Sequence, residues 1–204
     1  MIRSVKSARV ALSFLVPGSL ILSGVASAAE GAGSSAGSSS SQSVPPGGAA
    51  ESQKKLIKSE LAPHTVMIET ALKASQTEIE GIRSQLKAEE GRQSAEAIDH
   101  YKLYSKEIRD NVNTLATHQA HLKGMAQKFA NVASSKEFRE ANAAIDEYRT
   151  LASRWEGKAA ASAYWNDRRQ VSSDLDSLTQ RIDSAMSKTK GFNSSQLDLS
   201  TSLG

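Results

Sequence analysis

Two of the four histidines have the spacing of a metal-binding pair. His118 and His121 form an H-x-x-H sequence, and residues three apart share one side of an α-helix, where two imidazoles can chelate a soft divalent ion. They are the candidate metal ligands of this sequence. Because both lie beside the apolar side of their predicted helix, the sequence favours the alternative interpretation, in which they are solvated surface histidines.

Other patterns of catalysis and cofactor binding are missing from the sequence. A carboxylate-bridged di-iron site uses Glu-x-x-His pairs, and no histidine here has a glutamate three residues before it. The sequence also has no G-x-S-x-G, H-E-x-x-H or phosphate-binding glycine loop. Its lack of cysteine excludes disulfides, thiolate metal sites and covalently attached c-type haem. We therefore expect a non-enzymatic protein without a cofactor.

Residues 1–28 predict export. The basic start MIRSVKSAR is followed by the apolar run VALSFLVPGSLIL and by Ala26-Ser27-Ala28, an order typical of a secretory signal peptide cleaved after Ala28. We expect a periplasmic or secreted protein. The alternatives are an uncleaved membrane anchor, since residues 10–29 are uncharged over roughly the length that spans a bilayer, and a mitochondrial transit peptide.

The predicted signal also carries the excess of positive charge. The chain has 25 basic and 22 acidic residues, and three of the basic residues but none of the acidic ones lie within residues 1–28, which leaves 22 of each. A balanced charge gives no electrostatic reason to bind nucleic acid or anionic lipid. We expect a protein partner or self-association, and membrane contact only if the signal is uncleaved.

The elements that would position these residues are helices within residues 51–190. Apolar residues recur there at alternating spacings of three and four, the period of one helix side, and no long stretch alternates with period two. We call the four series the apolar seams. The first is Leu61, Thr65, Ile68, Leu72, Ser75, Ile79, Ile82 and Leu86, and the second is Ile98, Tyr101, Ser105, Ile108, Val112, Leu115, Gln119, Leu122, Ala126 and Phe129. The third is Phe138, Ala141, Ile145, Tyr148, Ala152 and Trp155, and the fourth is Tyr164, Val171, Leu175, Leu178, Ile182 and Ala185.

These seams predict an all-α fold, an elongated antiparallel bundle of three or four helices with coiled-coil-like packing. Residues 29–50, rich in Gly, Ser and Pro, are predicted to be a flexible linker, and residues 191–204 a loose tail after Gly191 ends the last helix. Pro63 is expected to start or kink a helix, and Ser94 to open the second one. Ser134 and Glu137 have the spacing of a capping box.

The segment RWEGKAAASAYW, residues 154–165, decides the number of helices. The third and fourth seams are about half a turn out of phase across it. Either the chain reverses at Gly157, which is the interpretation we favour, or one helix continues and offers opposite sides to different partners. Tyr164 and Trp165 are a candidate contact surface for a partner.

Trp155, Gly157 and Trp165 give this segment a resemblance to the turn of the W-x-G helical-hairpin secretion family, which implies small, dimeric, hairpin-shaped exported proteins. Two features differ from that family. A general secretory signal is predicted here, and Tyr164 is followed four residues later by Arg168 rather than by an acid. The chain is therefore not assigned to it.

Narrow seams that contain Ala, Ser and Thr often complete their burial on another chain. The expected function is therefore that of an exported interaction protein, such as a scaffold, an adaptor or a periplasmic binding partner, that acts through helix packing. The alternatives are a metal- or ligand-carrying bundle that uses His118 and His121, and a chaperone-like holder of envelope proteins.

Overall fold

The computed structural model describes residues 46–89 and 94–198, and within these ranges it contains helices and no strand. Five α-helices follow one another within these described ranges: α1 (Pro46–Ala88), α2 (Ala95–Ala126), α3 (Ala130–Ser134), α4 (Lys136–Ala159) and α5 (Arg168–Asp198). A 3₁₀ turn, Ser162–Asn166, lies between α4 and α5. The predicted all-α bundle is confirmed.

The four long helices pack in an antiparallel ring. Helix α1 contacts α2 and α5, and α4 contacts the same two helices from the other side. The direction is visible in two contacts between α1 and α5. Arg168 at the start of α5 donates to the Leu86 carbonyl near the end of α1, and Asn193 near the end of α5 donates to Glu69. This is the arrangement of an up-down-up-down bundle.

The predicted seams form the core. All members of the first and third seams are buried, as are Tyr101 to Ala126 of the second and Val171 to Ala185 of the fourth. The outermost members Ile98, Phe129 and Tyr164 are partly buried and pack against that core. The polar members Ser75 and Ser105 donate to carbonyls one turn earlier in their own helices, at 3.0 and 2.9 Å. They are therefore buried without an unmet hydrogen bond.

One buried polar layer fixes the register of α2 against α4. The Gln119 amide donates to the Asn142 carbonyl and side-chain oxygens at 3.2 Å and accepts from Arg149 at 2.9 Å. Asn142 in turn donates to the Phe138 carbonyl at 2.8 Å. Because a partly satisfied polar group in a core is costly, a slip of one helix against the other would leave these groups without their partners.

The helix starts are confirmed at α2 and corrected at α4. Ser94 caps α2, where its Oγ accepts from the Ala97 amide at 3.1 Å. The capping box predicted at Ser134 is wrong, because Ser134 belongs to α3 and Ser135 caps α4 by accepting from the Phe138 amide at 3.2 Å. The burial of Val132 in the core stabilises the short α3. Because α3 ends at Ser134, the N-cap of α4 is the next residue, Ser135.

Several predicted boundaries also differ from the structure. Helix α1 begins at Pro46, inside the predicted linker, and contains Pro63 in its interior. Helix α5 continues past Gly191 to Asp198 because Phe192 is buried against Phe138, with ring centroids 5.4 Å apart. The proposed helix end at Gly191 is therefore wrong. The predicted signal, its cleavage after Ala28, linker residues 29–45 and tail residues 199–204 lie outside the described residues.

The chain does reverse after the third seam, but not at Gly157. Helix α4 runs through Gly157 to Ala159, and the reversal occupies residues 160–167 with its 3₁₀ turn. Trp155 and Ala159 are one helical turn apart and both buried, so burial holds the helix together beyond the glycine. A Cβ atom at Gly157 would have no neighbour within 4 Å.

Candidate functional site

A cluster of three histidines lies where α1 packs against α2. His64 on α1 faces the predicted pair, with its Nδ1 3.2 Å from the Nδ1 of His118. Its ring stacks on that of His121, with centroids 5.3 Å apart and planes 17° apart. We call His64, His118 and His121 the histidine cluster.

The seams explain why these rings meet. His64 immediately precedes Thr65 of the first seam, and His118 immediately precedes Gln119 of the second, and both seam residues are buried. In antiparallel helices that face each other, residues with the same offset from the contact line lie on the same side of the interface. His64 and His118 are therefore half-buried at one edge of it, whereas His121, a turn further along α2, is exposed.

The environment of His64 and His118 favours neutral imidazoles. Burial, followed by the neighbouring charges of His118 and His121, lowers the pKa of His64, while the Glu60 carboxylate acts in the opposite direction. Burial and then His121 lower the pKa of His118 in the same way. A neutral imidazole has one nitrogen with a free lone pair, so the cluster can accept a hydrogen bond or bind a cation.

The three rings do not converge on one point in this conformation. Within residues 46–89 and 94–198, no group of three or more His, Cys, Asp or Glu side chains is arranged to hold a metal ion. His121 presents its ring face to His64, and the shortest contact between ring nitrogens joins His64 to His118. The predicted pair is thus close together, but its nearest nitrogen partner is on another helix, which the H-x-x-H spacing alone does not reveal.

Trp165 does not belong to an exposed contact surface, so the prediction is wrong for that residue, whereas Tyr164 is partly buried. Trp165 is fully buried, stacks on Tyr101 with centroids 4.8 Å apart, and donates from Nε1 to the Ala159 carbonyl at 2.9 Å. Trp155 meets it edge-on, with centroids 6.1 Å apart. We call Tyr101, Trp155, Tyr164 and Trp165 the aromatic end of the bundle.

Tyr164 completes the aromatic end through its hydroxyl. The hydroxyl accepts from Trp155 Nε1 and donates to Asp174 Oδ2, both at 2.9 Å. Burial and the bond to the Asp174 carboxylate raise the pKa of Tyr164 above its ordinary value. Asp174 also accepts from Lys158 at 3.0 Å and from Gln170 at 2.9 Å. The ring and the hydroxyl thereby join the end of α4 to the start of α5.

Comparisons of the chain with protein-family models, with curated proteins and with solved structures found no match. Among the helices of the described ranges, none combines the length and the apolar character needed to cross a membrane.

Proposed function

We propose that this protein is an exported, non-enzymatic interaction protein, a scaffold, an adaptor or a periplasmic binding partner, that acts by contacting another protein. The signal sequence predicted in residues 1–28 supports the export, and the balanced charge of the remaining chain favours a protein partner over nucleic acid or lipid. The apolar seams are buried within one chain. A partner must accordingly bind the outer surface of the bundle rather than complete a seam.

One groove between α1 and α5 carries this proposal. It has a volume of about 280 Å³ and is lined by residues that include Leu61, Ala62, Val66 and Asn193. Val66 at the groove is 58% exposed, and Leu56, ten residues earlier on α1, is 51% exposed. An exposed Val66 in an apolar groove suits an apolar side chain of a protein partner.

In-cell photo-crosslinking tests this assignment. A photoreactive amino acid at Val66 is expected to capture one or two specific proteins. The matched control is the same substitution at Leu103, which is 49% exposed on α2 and lies outside the groove residues. A broad set of unfolded proteins captured at Val66 would instead indicate the chaperone-like holder, and capture of the chain itself would indicate self-association. Equal capture from both positions contradicts a binding surface at the groove.

A second candidate function is supported by the histidine cluster. A bundle that carries a metal ion or another small ligand needs polar groups gathered between helices, and His64, His118 and His121 are gathered in this way.

A further inference from the structure

We propose that the histidine cluster binds one divalent transition-metal ion, with His64 and His118 as its first two ligands and His121 as the third. This inference is independent of the partner groove, and it assigns a role to His64 that the H-x-x-H sequence does not indicate. The bound ion would link α1 to α2 about 36 Å along α1 from the end of that helix, since 24 residues separate His64 from Ala88.

The distance between the two nearest nitrogens fits a shared metal ion. Nδ1 of His64 and Nδ1 of His118 are 3.2 Å apart. An ion about 2.0–2.1 Å from each nitrogen, the usual Zn–N distance, would see them at roughly 100°, between the ~90° of a square-planar site and the ~109° of a tetrahedral one. The backbones of α1 and α2 therefore already hold these two side chains at chelating distance.

Without metal, the same two nitrogens form an N–H···N hydrogen bond, in which one imidazole carries its proton on Nδ1 and the other accepts. For both nitrogens to bind a cation, the donor ring moves its proton from Nδ1 to Nε2. This change of tautomer releases no proton overall, and the ion takes the place of the hydrogen that the two rings share.

His121 can supply the third nitrogen by rotating its side chain. It is exposed, it stacks on His64 at 5.3 Å between centroids, and it lies on the same side of α2 as His118. Breaking an exposed stack and turning about χ1 and χ2 costs little compared with moving a helix. Water would complete the coordination, and Glu60, whose charge acts on His64, adds a negative charge nearby.

The ligand type selects the class of metal. Imidazole nitrogens favour Zn²⁺, Ni²⁺ and Cu²⁺, whereas Mg²⁺ and Ca²⁺ prefer oxygen ligands. We therefore expect the order of affinity Cu²⁺ above Ni²⁺ and Zn²⁺, and no measurable competition from Mg²⁺ or Ca²⁺.

The test is titration of the metal-free exported chain with Zn²⁺ or Cu²⁺ alone, with binding measured by calorimetry. Thermal unfolding is then measured at several metal concentrations. One equivalent is expected to bind, and the melting temperature should rise with metal concentration because the ion binds the folded arrangement more tightly than the unfolded chain. His64→Gln should weaken binding about ten-fold or more. The matched control is His100→Gln, which removes the exposed fourth histidine on the same helix as His118 and should leave affinity unchanged.

Two outcomes would overturn the site. If His64→Gln binds as tightly as the unaltered chain, the ion is held by the surface pair His118 and His121 alone. If His100→Gln weakens binding as much as His64→Gln, binding is adventitious. Circular dichroism of each metal-free variant shows whether it is folded, and the nitrogen hyperfine pattern of bound Cu²⁺ counts the imidazoles directly. Capture at Val66 is measured separately, so the two proposals can fail independently.

Discussion

The aromatic end and the histidine cluster both bring rings together from different helices, but they differ in burial and in bonding. At the aromatic end, Trp165 is fully buried and the polar atoms of Trp155, Tyr164 and Trp165 are hydrogen-bonded to other groups of the bundle. In the histidine cluster, the rings of His64 and His118 are half-buried, that of His121 is exposed, and they contact mainly one another. The large aromatic residues therefore stabilise the fold, and the less conspicuous histidines are available to a ligand.

The first prediction tests the structural role of the aromatic end and has the largest expected effect. Trp165→Ala should lower the free energy of unfolding by about 3–5 kcal/mol, because it removes a fully buried indole that packs on Tyr101 and Trp155 and leaves a cavity. Urea unfolding followed by circular dichroism measures this loss. His118→Gln in the cluster is the control and should change stability by less than about 1 kcal/mol. A loss at Trp165 as small as the control would end the distinction between the two regions.

The second prediction separates the hydroxyl of the aromatic end from its rings. Tyr164→Phe should cost about 1–3 kcal/mol, because Trp155 Nε1 loses its acceptor while Asp174 keeps Lys158 and Gln170. Tyr104→Phe is the matched control, since Tyr104 is a partly buried tyrosine on α2 and is not part of this network. Equal losses from the two variants would show that the network around Tyr164 contributes nothing specific.

The third prediction concerns the glycine at which the sequence suggested a reversal. Gly157→Ala should raise the free energy of unfolding by about 0.5–1 kcal/mol, because alanine favours a helix interior and nothing lies within 4 Å of the added atom. In the control variant Gly81→Ala, the new Cβ would lie 2.9 Å from Tyr104 Cε1, so the gain should be smaller. Thermal unfolding compares the two. A loss of stability in Gly157→Ala would mean that α4 does not continue through this position.

The helix period predicted the core because burial follows it directly. Every residue of the first and third seams is buried, including Thr65 and Ser75, whose polarity alone would suggest exposure. The half-turn phase difference between Trp155 and Tyr164 likewise indicated that one straight helix could not bury both residues on the same side. The reversal over residues 160–167 accounts for this difference. The period and phase of the apolar residues belong to single chain segments, so both can be predicted from the sequence alone.

Features that depend on two segments were not predicted. Helix α5 continues past Gly191 because Phe192 finds Phe138 on α4, and a local stop signal is weaker than that burial. Trp165 is buried because Tyr101 of α2 lies over it. His64 lies next to His118 because α1 and α2 pair antiparallel in this register, which the sequence alone does not show. Its equal offset from the seam, one residue before Thr65 as His118 is before Gln119, was the available signal, and it becomes informative only with the antiparallel pairing known.

The last prediction has the smallest expected effect. It concerns an unfavourable charge contact at the α1–α2 interface, of a kind that the aromatic end does not contain. Glu78 on α1 is partly buried near Glu107 on α2, and burial, followed by that like charge, raises its pKa above the usual 4.5. The folded chain then binds this proton more tightly than the unfolded chain, so stability falls as pH rises through the interval above 4.5.

Glu78→Gln removes the ionisation and should therefore be more stable than the unaltered chain at pH 7, by at most about 1 kcal/mol after solvent screening. The gain should disappear below pH 4.5, where Glu78 is protonated in both states. Urea unfolding at both pH values measures it, with Glu80→Gln, an exposed glutamate on the same helix, as the control. If Glu78→Gln is less stable at pH 7, the charged Glu78 side chain stabilises the α1–α2 interface. A more stable variant would show that the α1–α2 interface, unlike the aromatic end, retains an unfavourable charge contact between Glu78 and Glu107.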